Sequence, residues 1–263
     1  MTAQTIGKRW STGLGGVIVS LIVPVGILVV WWFGSLNTGS PFFPSLQSIL
    51  ETFAETWLSE KVVTDVLPSL GRMFAGFAIA VVVGVAVGVL FGRIRILAYA
   101  FNPVLQFFRA LPATALIPVS IVLLGIGDTP KILLIAFVSV FPVLLNTIDG
   151  VRNIDPVVED VVRSYRFDKA QRVRWVQLHA ASPQVLAGMR VALSMAFVVM
   201  VVTEMLAATN GIGYVTLTAQ QSFQISLMWS GLLLLGLLGI IINGLFVLVE
   251  RRLLRWYVQD QED

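Results

Sequence analysis

The sequence predicts an all-α integral membrane protein with six transmembrane helices, and three observations lead there. Of its 263 residues 57% are apolar and 13% charged, with a mean hydropathy of +0.87; an average soluble domain is roughly 25% charged. The apolar residues gather into runs near the ~20 residues that a helix needs to cross the hydrocarbon core. The basic residues then concentrate on alternate sides of those runs, as membrane topology requires. No cysteine is present, which excludes a disulfide framework and a thiolate metal site, and a single histidine leaves little for catalysis or metal binding. A net charge of +3 would hint at nucleic acid in a soluble chain. In a membrane chain the position of each charge matters more than the sum, and no nucleic-acid partner is expected.

The first run, Leu14 to Phe33, holds 20 residues without a charge after Lys8 and Arg9. The apolar core of a signal peptide is only about 7–15 residues long, so a retained helix is expected, behind a cytoplasmic N-terminus of residues 1–13. The second run, Met73 to Gly92, sets Gly76, Ala80, Gly84, Gly88 and Gly92 four residues apart, a smooth stripe that lets a neighbouring helix approach closely. The third follows Arg93 and Arg95 and reaches Gly125, interrupted by Pro103, Pro112 and Pro118. Such breaks free backbone carbonyls, which a membrane protein tolerates only against protein or water. Asp128-Thr129-Pro130 supplies a cap and a first-turn proline for the fourth run, Ile132 to Ile148. Ser182-Pro183 starts the fifth by the same chemistry, ending near Ala208, and the sixth runs from Met228 to Val249.

Of the 18 Lys and Arg residues, 14 share one side if the N-terminus is cytoplasmic: two before the first run, two between the second and third, seven from Arg152 to Arg190, and three after the sixth. Lys61, Arg72 and Lys131 fall opposite, and Arg109 lies within the third run. Both termini are therefore expected in the cytoplasm, with residues 14–263 forming one membrane domain whose cytoplasmic loop covers about 150–187. That loop is a charged island in a greasy chain. Asp155-Pro156 can cap a short helix that has Glu159 and Asp160 in its first turns and Val157, Val161 and Tyr165 on one face. Asp168 and Gln171 have capping-box spacing for a second short helix. A topology anchor needs only a few basic residues, so a folded, partly apolar hairpin points to a docking surface for a soluble partner.

Taken in order, Pro44-Ser45, SLGRMFAGF, LPATALIPVSIVLLGIGDTPKILLIAF, FPVLLNTIDGVRNIDP, the island, GMRVAL and TEMLAATNGIGY resemble the permease subunit of a bacterial binding-protein-dependent ABC importer, of the type that carries nitrate, taurine and alkanesulfonates. The likeness runs from about Pro41 to Arg255. It implies a type I ABC importer permease fold in the bacterial inner membrane, with no catalytic site and no cofactor in this chain. ATP and Mg would be bound by a cytoplasmic ABC ATPase subunit, the solute brought by an extracytoplasmic solute-binding protein, and the pathway shared with a second permease subunit. The resemblance also implies that the island is the EAA loop, whose coupling helix transmits closure of the ATPase to the membrane helices. Aligned through Asp155-Pro156 and Pro183, the motif's Glu-Ala-Ala falls on Asp160, Val161 and Val162, followed by Tyr165, Arg166 and Phe167. Its glycine falls on Arg166 and the proline of its Leu-Pro on His179. Arginine lacks the cheap positive φ of glycine. Either this half engages its ATPase differently, or it pairs as a heterodimer with a more typical permease, the pairing that Arg166 favours over a homodimer.

Polar residues inside the runs complete the candidates. Glu204 lies about 21 residues past Pro183, roughly 30 Å along a helix, so it is expected near the outer surface. Two readings are open for it: a carboxylate facing the pathway, or one paired with a neighbouring helix. Arg109 precedes Ala110-Leu111-Pro112 and would either attract an anion or snorkel to the interface. Asn210, Gly211 and Gly213 suit a tight re-entrant turn or an ordinary outer loop, and the resemblance assigns them to the outer gate. The pathway candidates are thus Arg109, Pro112, Glu204, Asn210, Gly211 and Gly213. The sequence contains no G-x-x-x-x-G-K-[ST] phosphate loop, as expected if ATP is hydrolysed elsewhere. The alternative is an ion- or proton-coupled secondary transporter using Glu204 or Arg109, against which stand the few intramembrane ionisable groups and no evident inverted repeat.

Overall fold

The computed structural model of the chain describes residues 14–35, 42–154, 156–165, 167–168 and 171–256, and their regular structure is helical throughout. Helix α1 is Leu14–Ser35 and α2 is Leu46–Trp57. A π-helical turn, Val62–Val66, runs into α3 (Leu67–Arg93), followed by α4 (Arg95–Ala110), α5 (Ala113–Leu124), α6 (Asp128–Arg152) and α7 (Pro156–Ser164). A second π-helical turn, Arg172–Gln177, runs into α8 (Leu178–Ala207), and α9 (Ile212–Gln221) and α10 (Ile225–Leu253) follow.

The small-residue stripe of α3 decides how the bundle packs. A Cβ placed on Gly76, Gly84, Gly88 or Gly92 would come within 2.6–2.8 Å of Ile135, Val143, Thr147 or Val151 of α6, respectively. Only hydrogen fits there, and the matched advance of the partners shows that α3 and α6 run parallel. Helix α8 crosses α6 in the opposite sense, with Gly188 against Pro142 and Asn146, and Gly150 against Ala181 and Gln184. Between these helices and α5 lies the main core, built on Met73, Ile117, Ile135, Ala196 and Met200. A second core at one end joins Trp57 of α2, Ile212 and Val215 of α9, and Leu234 of α10. The Trp57 indole donates there to Ser230 Oγ at 3.0 Å. Outward faces stay apolar, as at Val82, Ile240 and Leu248, which suits hydrocarbon surroundings.

Several expectations need correction. Among the described residues four helical stretches are long and apolar enough to cross a membrane: Val62–Arg93, Asp128–Arg152, Trp175–Ala207 and Ile225–Leu253. The pair α4 and α5, bent by 95°, raises this to at most five, and the first run is helical as α1. The bend falls at Leu111-Pro112, where proline forces its predecessor into extended backbone (Leu111 ψ 125°). Ser182-Pro183 does not start the fifth long helix. It lies inside α8, where the His179 carbonyl that Pro183 cannot satisfy accepts a hydrogen bond from Ser182 Oγ at 2.8 Å. Asp128 is the first residue of α6 rather than its cap, a place taken by Gly127, and its carboxylate accepts from Arg72. The capping box does form, Gln171 N–H donating to Asp168 Oδ1 at 2.7 Å and Asp168 N–H to Gln171 Oε1 at 3.0 Å. It opens the long helical stretch that continues into α8 rather than a separate short helix.

Candidate functional site

Three polar regions remain once the apolar packing is accounted for. The first is an ion network where the start of α3, the start of α6 and the end of α8 meet. Glu204, in the last turn of α8, is 0% exposed, and Arg72, in the second turn of α3, is 4% exposed. Arg72 Nη1 donates to Glu204 Oε1 at 2.7 Å, and its Nε donates to Asp128 Oδ1 at 2.7 Å. Nη2 donates to Asn210 Oδ1 at 2.6 Å, and Nη1 also reaches the Asn210 carbonyl at 3.2 Å. The other oxygen of Glu204 accepts from Ser69 Oγ at 2.8 Å and from Gly213 N–H at 3.1 Å. Asp65 Oδ1 accepts from Gly211 N–H at 2.8 Å, and Ser69 Oγ accepts from Ile212 N–H at 3.0 Å. The side chains of Asp65, Ser69 and Glu204 therefore satisfy the N–H groups at the start of α9, which a helix leaves unpaired. Lys131 stands 3.6 Å from Asp128 and Lys61 3.7 Å from Asp65. Lys61, Arg72 and Lys131 thus balance Asp65, Asp128 and Glu204, so the network is close to neutral.

Gly211 holds φ +119°, and a Cβ on it would sit 2.5 Å from the Glu204 carboxylate. The chain can fold back over Glu204 only because that residue is glycine. Glu204, Asn210, Gly211 and Gly213, named from the sequence, are thus brought together, with both carboxylate oxygens of Glu204 occupied. Sequence reasoning missed Arg72, Asp65, Ser69 and Asp128 as their partners. The available signal was that Arg72 and Asp128, opposite in charge, stand at ends of their runs on the same side as Glu204.

The second region holds Arg109 and the bend after α4, well apart in sequence from the network. Arg109 ends α4, is exposed, and lines a cleft of about 390 Å³ together with Phe108, Phe137, Phe141, Asn146 and Met195. Asn146 Nδ2 donates to the Pro142 carbonyl at 2.9 Å. Pro112 precedes α5 and sets the bend at the cleft's edge.

The third region is the island. Val162 faces inward at 4% exposed, whereas Val157, Asp160, Tyr165 and Phe167 are exposed. The Tyr165 and Phe167 rings lie 6.4 Å apart. Asp155, Arg166 and Lys169 lie outside the described residues, as does the side chain of Val161. Trp175 stacks on His179 at 6.4 Å and 17°. Among the described residues no group of His, Cys, Asp and Glu could hold a metal ion.

A family model for the inner membrane component of binding-protein-dependent transport systems matches residues 80–255. The putative aliphatic sulfonates transport permease protein SsuC of Bacillus subtilis (strain 168) is 31% identical over 97% of this chain and 93% of its own length. The taurine transport system permease protein TauC of Escherichia coli (strain K12) is 28% identical over 89% of this chain and 88% of its own. The bicarbonate transport system permease protein CmpB of Synechococcus elongatus is 27% identical over 94% and 93%. Among solved structures, an inward-facing conformation of the MetNI methionine ABC transporter matches with a TM-score of 0.65 over 73% of this chain and 96% of that one, at 21% identity, which shows the fold. The cleft, the island and the part of the network on α6, α8 and the turn into α9 fall within the matched segment, and the chain belongs to the family of binding-protein-dependent transport system inner membrane components, the permeases of ABC importers.

Proposed function

We propose that this permease forms, with a second permease subunit, the inner-membrane pathway for a small organic or inorganic anion such as a sulfonate or nitrate. ATP and Mg are bound by a cytoplasmic ATPase subunit that docks on the island around Asp160, Val161, Val162, Tyr165, Arg166 and Phe167. An extracytoplasmic binding protein delivers the solute, and both termini are cytoplasmic. Arg166 in place of glycine favours a companion permease that carries the usual loop. The observation that carries this reading is the nearly full-length likeness to permeases named for aliphatic sulfonates, taurine and bicarbonate. The ion network lies at the end opposite the island, where it ties α9 to α3 and α8 as an outer latch. Its internal charge balance makes Glu204 a poor proton relay, which weighs against a secondary transporter.

Uptake into proteoliposomes holding the purified complex tests this. With ATP inside the cytoplasmic-equivalent compartment and the cognate binding protein outside, one of taurine, ethanesulfonate, nitrate or bicarbonate accumulates. Accumulation driven by a proton gradient without ATP would instead establish the secondary transporter.

A further inference from the structure

Resting on that anion-importer reading, we infer that the cleft beside Arg109 is a binding site within the permease for an organic anion with a short apolar tail, its charged head on Arg109 and its tail against Phe137 and Phe141. Four observations carry this. The cleft lies at mid-depth, since Phe137 and Phe141 flank the middle of the 25-residue α6 and Val191 and Met195 lie near the middle of the 30-residue α8. Its volume of about 390 Å³ falls within the roughly 300–1,000 Å³ of small-molecule sites. Arg109 is the single charged residue in its lining, and it forms no hydrogen bond or ion pair among the described residues. Arg72, by contrast, makes four hydrogen bonds.

The fourth observation concerns the wall. Phe108, Phe137 and Phe141 pack edge to face, with ring centroids 5.7 and 5.3 Å apart. Apart from Arg109, Asn146 contributes the one polar side chain of the lining. A cation at the edge of an aromatic wall suits a ligand with one anionic end and one apolar end. A bare inorganic anion uses the guanidinium and leaves the rings idle. An alkyl tail gains about fourfold in affinity for each methylene it buries.

The test measures binding of 1-alkanesulfonates, ethane- to pentanesulfonate, to the purified transporter in phosphatidylcholine nanodiscs by calorimetry, without binding protein or nucleotide. Nitrate and bicarbonate serve as inorganic comparisons. The expected result is affinity rising about fourfold per methylene, with nitrate and bicarbonate weakest. Arg109→Gln should weaken every sulfonate by tenfold or more, Arg109→Lys should recover part of that loss, and Phe137→Ala should flatten the chain-length dependence. Each variant is assayed for binding-protein-stimulated ATP hydrolysis, so that an assembled complex is demonstrated in every arm.

Three results would each overturn the site: no sulfonate binding, binding unchanged in Arg109→Gln, or inorganic anions bound as well as pentanesulfonate. Loss of sulfonate binding when the nanodiscs contain phosphatidylglycerol would assign the cleft to an anionic lipid and overturn it as well. Any of these leaves the importer reading intact if hydrolysis is still stimulated. Absence of stimulated hydrolysis in the unaltered complex contradicts the importer reading itself.

Discussion

A guanidinium taken out of water needs its charge balanced and its donors filled, and Arg72 places four of its five N–H donors on Glu204, Asp128 and Asn210. The cost of desolvating these groups is already met in the folded chain, so removing one partner strands the other. Breaking a buried pair this way costs about 3–5 kcal/mol, whereas replacing both partners by apolar residues can be nearly neutral. Arg72→Met and Glu204→Leu should therefore each lower the apparent melting temperature of the detergent-solubilised protein. The double variant Arg72→Met/Glu204→Leu should lose less than the sum of the single losses. Simple additivity in that cycle would show the two residues to be uncoupled. From the sequence, Glu204 was legible as an ionisable residue near the outer end of a span, and Asn210, Gly211 and Gly213 as a tight loop beyond it. Their partners were not, because helical periodicity states which residues share a face but not which helix that face meets. Arg72 and Lys131 were visible as outer-side charges, and Asp128 had a simpler local explanation as a helix cap.

At the scale of helices, the stripe on α3 was the most legible feature, and it meets α6 at Gly76, Gly84, Gly88 and Gly92. Gly88→Val puts carbon where Thr147 Cβ is 2.6 Å away, and overpacking of this kind costs about 1–3 kcal/mol. Gly71→Ala, on the same helix with nothing within 4 Å, should instead be neutral or stabilise by up to about 1 kcal/mol through helix propensity. Melting temperatures of the two variants check this, and equal losses would mean that the stripe is not the contact. Proline was less informative. Pro112 breaks the third run as expected, yet Pro183 sits within α8, because a neighbouring serine hydroxyl replaces the missing backbone donor. Sequence alone could not separate these outcomes, since the rescue depends on one hydroxyl reaching the freed carbonyl.

At the scale of the molecule, alternation of direction was expected from the charge pattern. The helices keep it, with α3 parallel to α6 and both antiparallel to α8. Arg190 of α8 lies 3.8 Å from Glu250 of α10 and Phe197 faces Gly239, which extends the antiparallel order to the last helix. These contacts fix relative directions, and the proposed orientation puts the side with the excess of Lys and Arg in the cytoplasm. Reporter fusions after Gly150 and Gln259 should accordingly read cytoplasmic, and fusions near Thr56 and Gln221 external. One reversed site would overturn the order of crossings, since every span inverts all later sides. The turn within the third run was harder to read, because a 95° bend divides it into two short helices and hydropathy does not report where a run turns.

The island gives the molecule its proposed purpose, because the exposed Tyr165 and Phe167 offer an apolar surface outside the bundle. The most direct check is to purify the tagged chain in mild detergent from its native membrane and identify every co-purifying chain, with stoichiometry, by native mass spectrometry. An ATP-binding subunit should be present in two copies, together with this chain and a companion permease whose loop carries glycine at the position of Arg166. Two identical copies of this chain in an active complex would contradict the companion. Recovery of an active transporter containing no ATPase subunit would contradict the importer itself.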